Sequence, residues 1–294
     1  CSAAEVLANP QGGQVVAGQA TISTAPNLLT VNQVSDKAII NWPSFSIGAG
    51  EHTQFFQPSS SSVTLNRVVG GNPSEILGRL SANGNIFLFN PNGVVFGTNA
   101  RVDVNSLVAT THDIKNEDFL AGNYRFNISG KTGAMIVNSG TITVAEAGLV
   151  ALVAPAVRND GMIIARLGKV SLGAGTGFTL DLYGDRLVEL AVDPVTLKAS
   201  LPDGTPVSSL IDQAGSIEGA TVVLSANAAR DVVDNVINMS GIITARSARQ
   251  EGGTIILEGG PVAANAGAAS AAIEQATGTI TVSGTLDASA SSLP

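Results

Sequence analysis

Residues 84–97 read GNIFLFNPNGVVFG, two apolar runs joined by the tetrapeptide Asn90-Pro91-Asn92-Gly93. Both runs are rich in β-branched and aromatic residues, which strands prefer. Pro91 presets φ for the second position of a β-turn, Asn92 suits the third position, and Gly93 accepts a positive φ. The stretch therefore predicts two strands joined by a tight turn. It contains no acid, base or nucleophile, which indicates that the function depends on the fold itself.

The composition of the chain favours β-structure built from small side chains. Of its 294 residues 44% are hydrophobic. Only 13% are charged, against about 25% in an ordinary soluble domain. The formal net charge of −8 argues against binding to nucleic acid or to an anionic membrane, because both need a basic patch. No apolar run is long enough to span a bilayer, so we expect no membrane insertion.

The residues that usually hold metals and cofactors are scarce in this sequence. Cys1 is the only cysteine and has no internal partner. Cys1-Ser2 is compatible with a lipoprotein start and equally with a thiol added for labelling. Neither His52 nor His112 has a Cys, Asp or Glu at metal-ligand spacing. The sequence therefore predicts no metal site, no cofactor and no catalytic residue.

A recurring phrase in the second half of the chain predicts a β-solenoid. A glycine followed by a short strand recurs at 138–144, 159–165, 239–245 and 277–282, and companion strands lie at 168–173, 219–224 and 253–257. The interval from Gly161 to Gly241 is interpreted as four coils of about 20 residues each. A β-sandwich is the alternative, because its strands also recur with turns between them. The regular period favours the solenoid.

The chain is expected to form one elongated domain over residues 1–294. Residues 1–126 hold eight of the nine Phe and the only Trp, which predicts a cap and the first coils over an end that would otherwise expose bare strands. Residues 127–294 are predicted to form further coils. Three interruptions are expected: an excursion at 190–207, a short helix at 227–238, and a helical turn that begins at Asn72-Pro73-Ser74-Glu75 and runs through Leu80.

Several stretches match a known family in the correct order. They are PQGGQVVAG at 10–18, AIINWPSFSI at 38–47, Asn66-Arg67-Val68 and the Asn90-Pro91-Asn92-Gly93 signature. With these motifs the chain resembles, over nearly its whole length, the N-terminal secretion domain of two-partner-secretion exoproteins. These are the filamentous-haemagglutinin and high-molecular-weight-adhesin class of Gram-negative bacteria. Filamentous haemagglutinin also has an Asn-Pro-Asn-Leu motif. This chain offers only APNL at 25–28, in a different place, so we expect that motif to be absent, which places the chain nearer the adhesins that carry only Asn-Pro-Asn-Gly.

The resemblance implies an all-β fold, a right-handed parallel β-helix with an N-terminal cap and short extra-helical elements. It also implies export through the periplasm and recognition by the POTRA domains of a cognate outer-membrane TpsB transporter. The domain would direct secretion and nucleate the fold of a large surface adhesin, of which this chain is expected to be the N-terminal fragment. The implied site consists of the secretion motif and turn Asn90, Pro91, Asn92 and Gly93, with the cap-supporting residues Asn41, Trp42, Phe45, Asn66 and Arg67.

Two other functions stay open from the sequence. In the first alternative, the domain itself would bind a host or matrix ligand, as adhesins do. In the second it is a β-helix carbohydrate-active enzyme, with Asp181, Asp185 and Glu189 on one strand face beside Arg186. A solvated charged face is the better interpretation of that set, so no enzymatic activity is expected.

Overall fold

The computed structural model describes residues 9–181, 188–190, 207–226, 235–246, 254–259 and 279–288. Strands dominate these residues, and they are numbered β1 to β27 along the chain. The first twelve are β1 Gln14–Ala17, β2 Ala20–Ala25, β3 Leu28–Gln33, β4 Lys37–Trp42, β5 His52–Phe56, β6 Val63–Val68, β7 Ser74–Ile76, β8 Arg79–Ala82, β9 Asn85–Phe89, β10 Val94–Phe96, β11 Arg101–Val104 and β12 Ser106–Thr110.

A helix, α1, spans Asn116–Ala121. The remaining strands are β13 Tyr124–Phe126, β14 Met135–Asn138, β15 Thr141–Val144, β16 Leu149–Ala154, β17 Ala156–Asn159, β18 Met162–Ala174, β19 Phe178–Leu180, β20 Val188–Leu190, β21 Ser209–Gln213, β22 Ser216–Ala226, β23 Asn235–Met239, β24 Ile242–Ala245, β25 Thr254–Gly259, β26 Ile280–Val282 and β27 Thr285–Asp287. No helix among the described residues is long and apolar enough to cross a membrane.

The strands stack in three ladders, which makes the molecule a parallel β-helix. The first ladder runs β2-β3-β5-β8-β11-β15-β18-β22-β24-β27, and the second runs β1-β4-β6-β9-β12-β16-β18-β22-β25. The third ladder runs β7-β10-β14-β17-β21-β23-β26. The long strands β18 and β22 pass from the first ladder into the second, so these two ladders form one sheet. The predicted parallel β-helix is confirmed, and the β-sandwich alternative is wrong.

The N-terminal end of the solenoid is covered by two strands, β1 and β2, that run antiparallel to the strands of the first coil. β1 pairs with β4 and β2 pairs with β3, both antiparallel, whereas the other pairs within the three ladders are parallel. The predicted N-terminal cap is therefore present as an antiparallel layer on the first coil. Trp42, Phe45, Phe55 and Phe96 fill the interior of the solenoid behind it.

Not all the aromatic residues of the first third belong to the cap, which corrects the sequence prediction. Phe87, Phe119 and Phe126 lie in a second hydrophobic cluster outside the coils, together with Phe178. Strands β9, β12 and β16 contribute side chains to both clusters and are therefore buried on both faces. Helix α1 and the antiparallel strands β13 and β19 cover the outer face, and β20 pairs with β19. The resemblance implied short extra-helical elements, but the sequence did not predict any at these residues.

The helical turn predicted from Asn72 through Leu80 is wrong. Ser74 begins β7, which pairs in parallel with β10, and its backbone N–H donates to the Gly93 carbonyl. A neighbouring strand therefore satisfies the backbone that the sequence pattern assigned to a helix.

The two later interruptions fall mostly outside the described residues. Residues 227–234 of the predicted helix lie outside the described residues. Residues Asn235 to Asn238 belong to strand β23, so the helix prediction is wrong for that part. Of the predicted excursion, residues 191–206 lie outside the described ranges. Leu190 ends β20, which pairs with β19 outside the coils.

Three glycines of the recurring phrase stack with three others in a column at one corner of the solenoid. The column is Gly97, Gly140, Gly161, Gly215, Gly241 and Gly284. Only Gly215 lies between Gly161 and Gly241 in this column, so that interval holds two coils instead of the predicted four. The phrase at 277–282 is also out of register, because β26 belongs to the third ladder and Gly284 is the glycine that stacks on Gly241.

Candidate functional site: the Asn-Pro-Asn-Gly corner

The tetrapeptide Asn90-Pro91-Asn92-Gly93 forms a corner of one coil. The Gly93 N–H donates to the Asn90 carbonyl over 3.1 Å, so the predicted β-turn is present. The strands on either side do not pair with each other. β9 lies between β6 and β12 in the second ladder, and β10 lies between β7 and β14 in the third. The turn therefore redirects the chain from one face of the solenoid to the next and does not close a hairpin.

Asn90 is fully buried, and its amide joins the turn to the preceding coil. Its Oδ1 accepts the Asn92 N–H at 2.9 Å, which closes the turn locally. Its Nδ2 donates to the Asn72 carbonyl at 3.0 Å and to Ser74 Oγ at 2.9 Å. One side chain thus fixes the turn and ties it to a segment 16 residues earlier in the chain.

Asn92 makes a second connection to the same earlier segment. Its Nδ2 donates to the Gly70 carbonyl at 3.0 Å, to the Asn72 carbonyl at 3.3 Å and to Asn90 Oδ1 at 2.8 Å. Both asparagines thus bind the carbonyl of Asn72. The corner of this coil is therefore held on the corner of the coil before it by side-chain amides as well as by strand pairing.

Pro91 and Gly93 contact the segment on the other side of the turn. The Pro91 carbonyl accepts the Lys131 N–H at 2.9 Å. Gly93 has φ 111°, and a Cβ built there would lie 2.8 Å from the Met135 carbonyl oxygen. A side chain at position 93 would thus be strained and would collide with backbone. The four residues together connect the preceding coil to the segment that follows the turn.

Trp42, Phe45 and Asn66 form a second group in the first coils. The Trp42 indole N–H donates to Asn66 Oδ1 at 3.0 Å, and all three side chains are buried. The rings of Trp42 and Phe45 meet edge to face at 5.6 Å. Because β4 and β6 are neighbours in the second ladder, this bond joins the first two of its coils. Asn41 lies beside this group on β4 and is half-buried.

Arg67 lies apart from that group, although the sequence placed it with the cap. Its guanidinium donates to Asp113 Oδ1 at 2.9 Å, to Asn116 Oδ1 at 2.7 Å and to the Ile114 carbonyl at 2.6 Å. These three partners precede or begin α1. The structure therefore places Arg67 against the extra-helical layer.

Sequence reasoning missed the partners of the corner and a buried ladder of amides at the other end of the third-ladder strands, where β14, β17 and β21 end. Asn138 Nδ2 donates to Asn159 Oδ1 at 2.7 Å, and Asn159 Nδ2 donates to Gln213 Oε1 at 2.8 Å. The recurring phrase carried the signal, because an asparagine precedes the glycine by two residues at 138 and at 159. Ser74 gave no such signal, since its role depends on a turn 16 residues away.

The histidines are neutral at physiological pH. Burial lowers the pKa of His112 to about 4, partly offset by its 3.0 Å hydrogen bond to the Gly175 carbonyl. Burial and the neighbouring Arg79 lower the pKa of His52. Within the described residues no group of three His, Cys, Asp or Glu side chains is placed to hold a metal ion. These groups offer no proton-transfer chemistry at the corner.

Comparisons with known proteins agree with this structural interpretation. A family model described as TPS secretion domain matches residues 7–282. A heme/hemopexin-binding protein of Haemophilus influenzae strain Rd is 33% identical over 262 residues, covering 87% of this chain and 28% of that protein. A second heme/hemopexin-binding protein of Haemophilus influenzae is 31% identical over 278 residues, covering 29% of its length. The chain thus spans little more than a quarter of these curated relatives.

Two solved structures share the fold. The crystal structure of the HMW1 secretion domain from Haemophilus influenzae has a TM-score of 0.66 at 29% identity, covering 85% of this chain and 70% of that one. The filamentous hemagglutinin secretion domain has a TM-score of 0.54 at 15% identity, covering 95% of this chain and 97% of that one. At that identity the second likeness concerns the fold alone.

Proposed function

The chain belongs to the TPS secretion domain family, and on that premise we propose that it directs export by nucleating a β-helix at the Asn-Pro-Asn-Gly corner. The family consists of secretion domains and not of enzymes. Exoproteins with this domain are secreted through a two-partner system to the cell surface or the extracellular space. The proposal concerns how this chain performs that task.

The observation that carries the proposal is the double connection of the corner. Asn90 and Asn92 bind the carbonyls of residues 70–72, while Pro91 and Gly93 contact residues 131–135. The corner is complete only when the preceding coil is in place, and it then fixes where the following segment begins. A site with these two properties suits the start of stepwise growth, because each coil of a solenoid contacts mainly its neighbours.

The partner in this proposal is a cognate outer-membrane TpsB transporter. Its POTRA domains would engage the chain in the periplasm while the chain is largely unfolded. Folding would follow at the cell surface, each completed coil presenting a strand to the next. Because burial of the solenoid interior releases free energy with each added coil, folding would help to drive outward movement.

The proposal is tested by the substitution Asn92→Ala. The variant loses the two N–H donors of Nδ2, which are shared among three acceptors and stabilise the corner by about 1 kcal/mol each. We expect the secreted fraction to fall several-fold in cells that contain the transporter, measured by immunoblot of the medium against the cell pellet. Asn99→Ala is the matched control, since Asn99 is an exposed asparagine on the same coil. Secretion of Asn92→Ala at the level of the control would refute the role of the corner.

A ligand-binding role is the second candidate. It is favoured by the names of the two curated relatives, which describe heme/hemopexin-binding proteins and align over 87% of this chain. Titration of the purified domain with hemin, followed by its absorbance, tests whether this segment binds such a ligand. An unchanged spectrum in the presence of the domain would remove the candidate.

A further inference from the structure

A column of apolar side chains runs along the outer face of the second ladder. It consists of Ile39, Leu65, Phe87, Val108 and Ala151, one from each of β4, β6, β9, β12 and β16. Each of the five is directly paired with the next in register, and all belong to the second hydrophobic cluster. We call this column the outer stripe. It exists only when five successive strands have stacked.

The outer stripe is covered by a segment inserted between β12 and β14. Phe119 of α1 and Tyr124 and Phe126 of β13 surround Phe87, with ring centroids 6.0, 5.2 and 6.0 Å from it. Phe126 also stacks on Phe178 of β19 at 4.5 Å. All four aromatic side chains of this covering layer are buried. Residues 111–126 thus close over a surface assembled from strands that precede and follow them.

Two basic side chains of the first coils bind this segment at both ends of α1. Lys37 Nζ donates to the Leu120 carbonyl at 2.8 Å, at the C-terminal end of the helix, and lies 5.6 Å from the Tyr124 ring. Arg67 binds Asp113, Ile114 and Asn116 at the N-terminal side, with only 12% of its side chain exposed. The two cations come from β4 and β6, which both precede the helix in the sequence.

We propose that residues 111–126 form a latch that closes after the first coils have stacked and slows their unfolding, with Lys37 and Arg67 as its positioning residues. The outer stripe includes Ala151, which follows the latch in sequence by 25 residues or more, so the latch cannot complete its contacts until β16 has been added. Contacts that form after the rate-limiting step of folding raise the barrier to unfolding and leave the folding rate nearly unchanged.

The latch also explains why a secreted solenoid would carry an extra layer. Without it the outer stripe would expose a contiguous apolar surface on a flat sheet, which favours association with other chains. The closed latch converts that surface into a second core. The latch acts on the folded chain, and its effect on unfolding does not depend on whether the Asn-Pro-Asn-Gly corner nucleates folding.

The experiment is a denaturant-jump measurement of both rates on the purified chain carrying Arg67→Ala. We expect unfolding about tenfold faster, because three charge-assisted hydrogen bonds are lost, and refolding within about twofold of the parent. Arg67→Lys should recover part of the slow unfolding, since the ammonium keeps the positive charge and its N–H donors but lacks the planar fork that reaches three separate acceptors. Arg101→Ala is the matched control, as Arg101 lies exposed on the first ladder, away from the latch.

Hydrogen exchange locates the effect. In Arg67→Ala the amides of Asp113, Phe119, Gly122 and Ile128, which are bonded within or beside the latch, should lose protection before those of β9. Refolding slowed as much as unfolding is accelerated, or unchanged protection of the latch amides, would overturn the proposal. If Arg67→Ala does not fold, Lys37→Gln gives the same two readouts, because it removes only the cation from the helix end.

Discussion

At the scale of single residues, this protein relies on amide side chains where a corner must be held from two directions. A side-chain amide both donates and accepts, so Asn90 closes its own turn with Oδ1 while Nδ2 reaches the preceding coil. Asn138 and Asn159 use the same capacity to connect one coil to the next. A carboxylate has no donor and an apolar residue has neither group, so neither would serve at these positions.

His112 makes the stability of the chain dependent on pH. Because a carbonyl only accepts, His112 Nε2 carries the proton toward Gly175, and Nδ1 is buried with no partner among the described residues. The folded pKa of about 4 lies below the ordinary 6.5, so the unfolded chain binds more protons between these values. The free energy of unfolding should therefore fall as pH drops from 6.5 to 4, by about 3 kcal/mol from this residue.

The contribution of His112 is isolated by urea denaturation of the parent and of His112→Gln across this pH range. Glutamine retains a donor for the Gly175 carbonyl but does not titrate. The carboxylates of the chain titrate in both proteins, so the difference between the two profiles reports the histidine. Profiles that stay parallel from pH 6.5 to pH 4 would contradict the assignment.

The sequence identified the residues of the corner because their turn chemistry is local. Proline, asparagine and glycine in that order predict a β-turn from backbone geometry alone, and the turn was found. The roles of Gly70, Asn72 and Ser74 depend on bonds that span 16 to 22 residues. Such partners follow from the stacking of coils, which a local pattern does not encode.

At the scale of elements, the glycine column sets how closely one coil follows another. At each step a Cβ on the glycine would collide with the backbone carbonyl of the glycine in the coil below. The next coil also donates two backbone N–H groups to one carbonyl of the coil below, as Asp160 and Gly161 do to Asn138. Glycine is therefore required here for close approach and not for an unusual φ.

The substitution Gly161→Ala tests this requirement. The new methyl group would push against the carbonyl of Gly140, which is backbone and cannot turn aside. We expect the free energy of unfolding to fall by about 3 kcal/mol, measured as a lower urea midpoint. Gly71→Ala is the control, because a Cβ at Gly71 meets no atom within 4 Å. Equal urea midpoints for Gly161→Ala and Gly71→Ala would contradict this requirement, because they would show that the coils accommodate the extra methyl group.

Three of the four occurrences of the recurring phrase marked the same corner of the solenoid, and the number of coils was predicted incorrectly. Its strands at 138–144, 159–165 and 239–245 all turn from the third ladder into the first, as a common pattern requires. Counting by a constant period failed because coils of a solenoid tolerate insertions at their corners. The insertion that holds α1 also lacks the phrase, and its helix depends on packing against the outer stripe more than on its own short sequence.

At the scale of the whole molecule, two cores share one sheet. The second ladder has the solenoid interior on one side and the latch layer on the other, so β9, β12 and β16 are buried on both faces. This explains why residues 86–89 and 149–154 read as continuous apolar runs and not as alternating ones. The sequence predicted a strand from the first of these runs and made no prediction for the second, and nothing in either run specified which segment would cover the outer side.

This arrangement predicts a gradient of stability along the solenoid. β9 and β12 have paired strands on both edges and a core on both faces. β26 and β27 pair with one described strand each and are largely exposed. Because a solenoid opens from coils with few neighbours, amides of β27 should exchange about 100-fold faster than those of β9, or more.

Native-state hydrogen exchange with mass spectrometry measures this gradient directly. Peptides over 85–89 and 106–110 should stay protected until global unfolding, and the peptide over 285–287 should exchange first. The order matters for the secretion mechanism, since a chain that folds by adding coils to a stable start requires the start to outlast the growing end. Equal protection of the two ends would mean that the solenoid unfolds as one unit. That result would contradict stepwise growth from a more stable start at the corner.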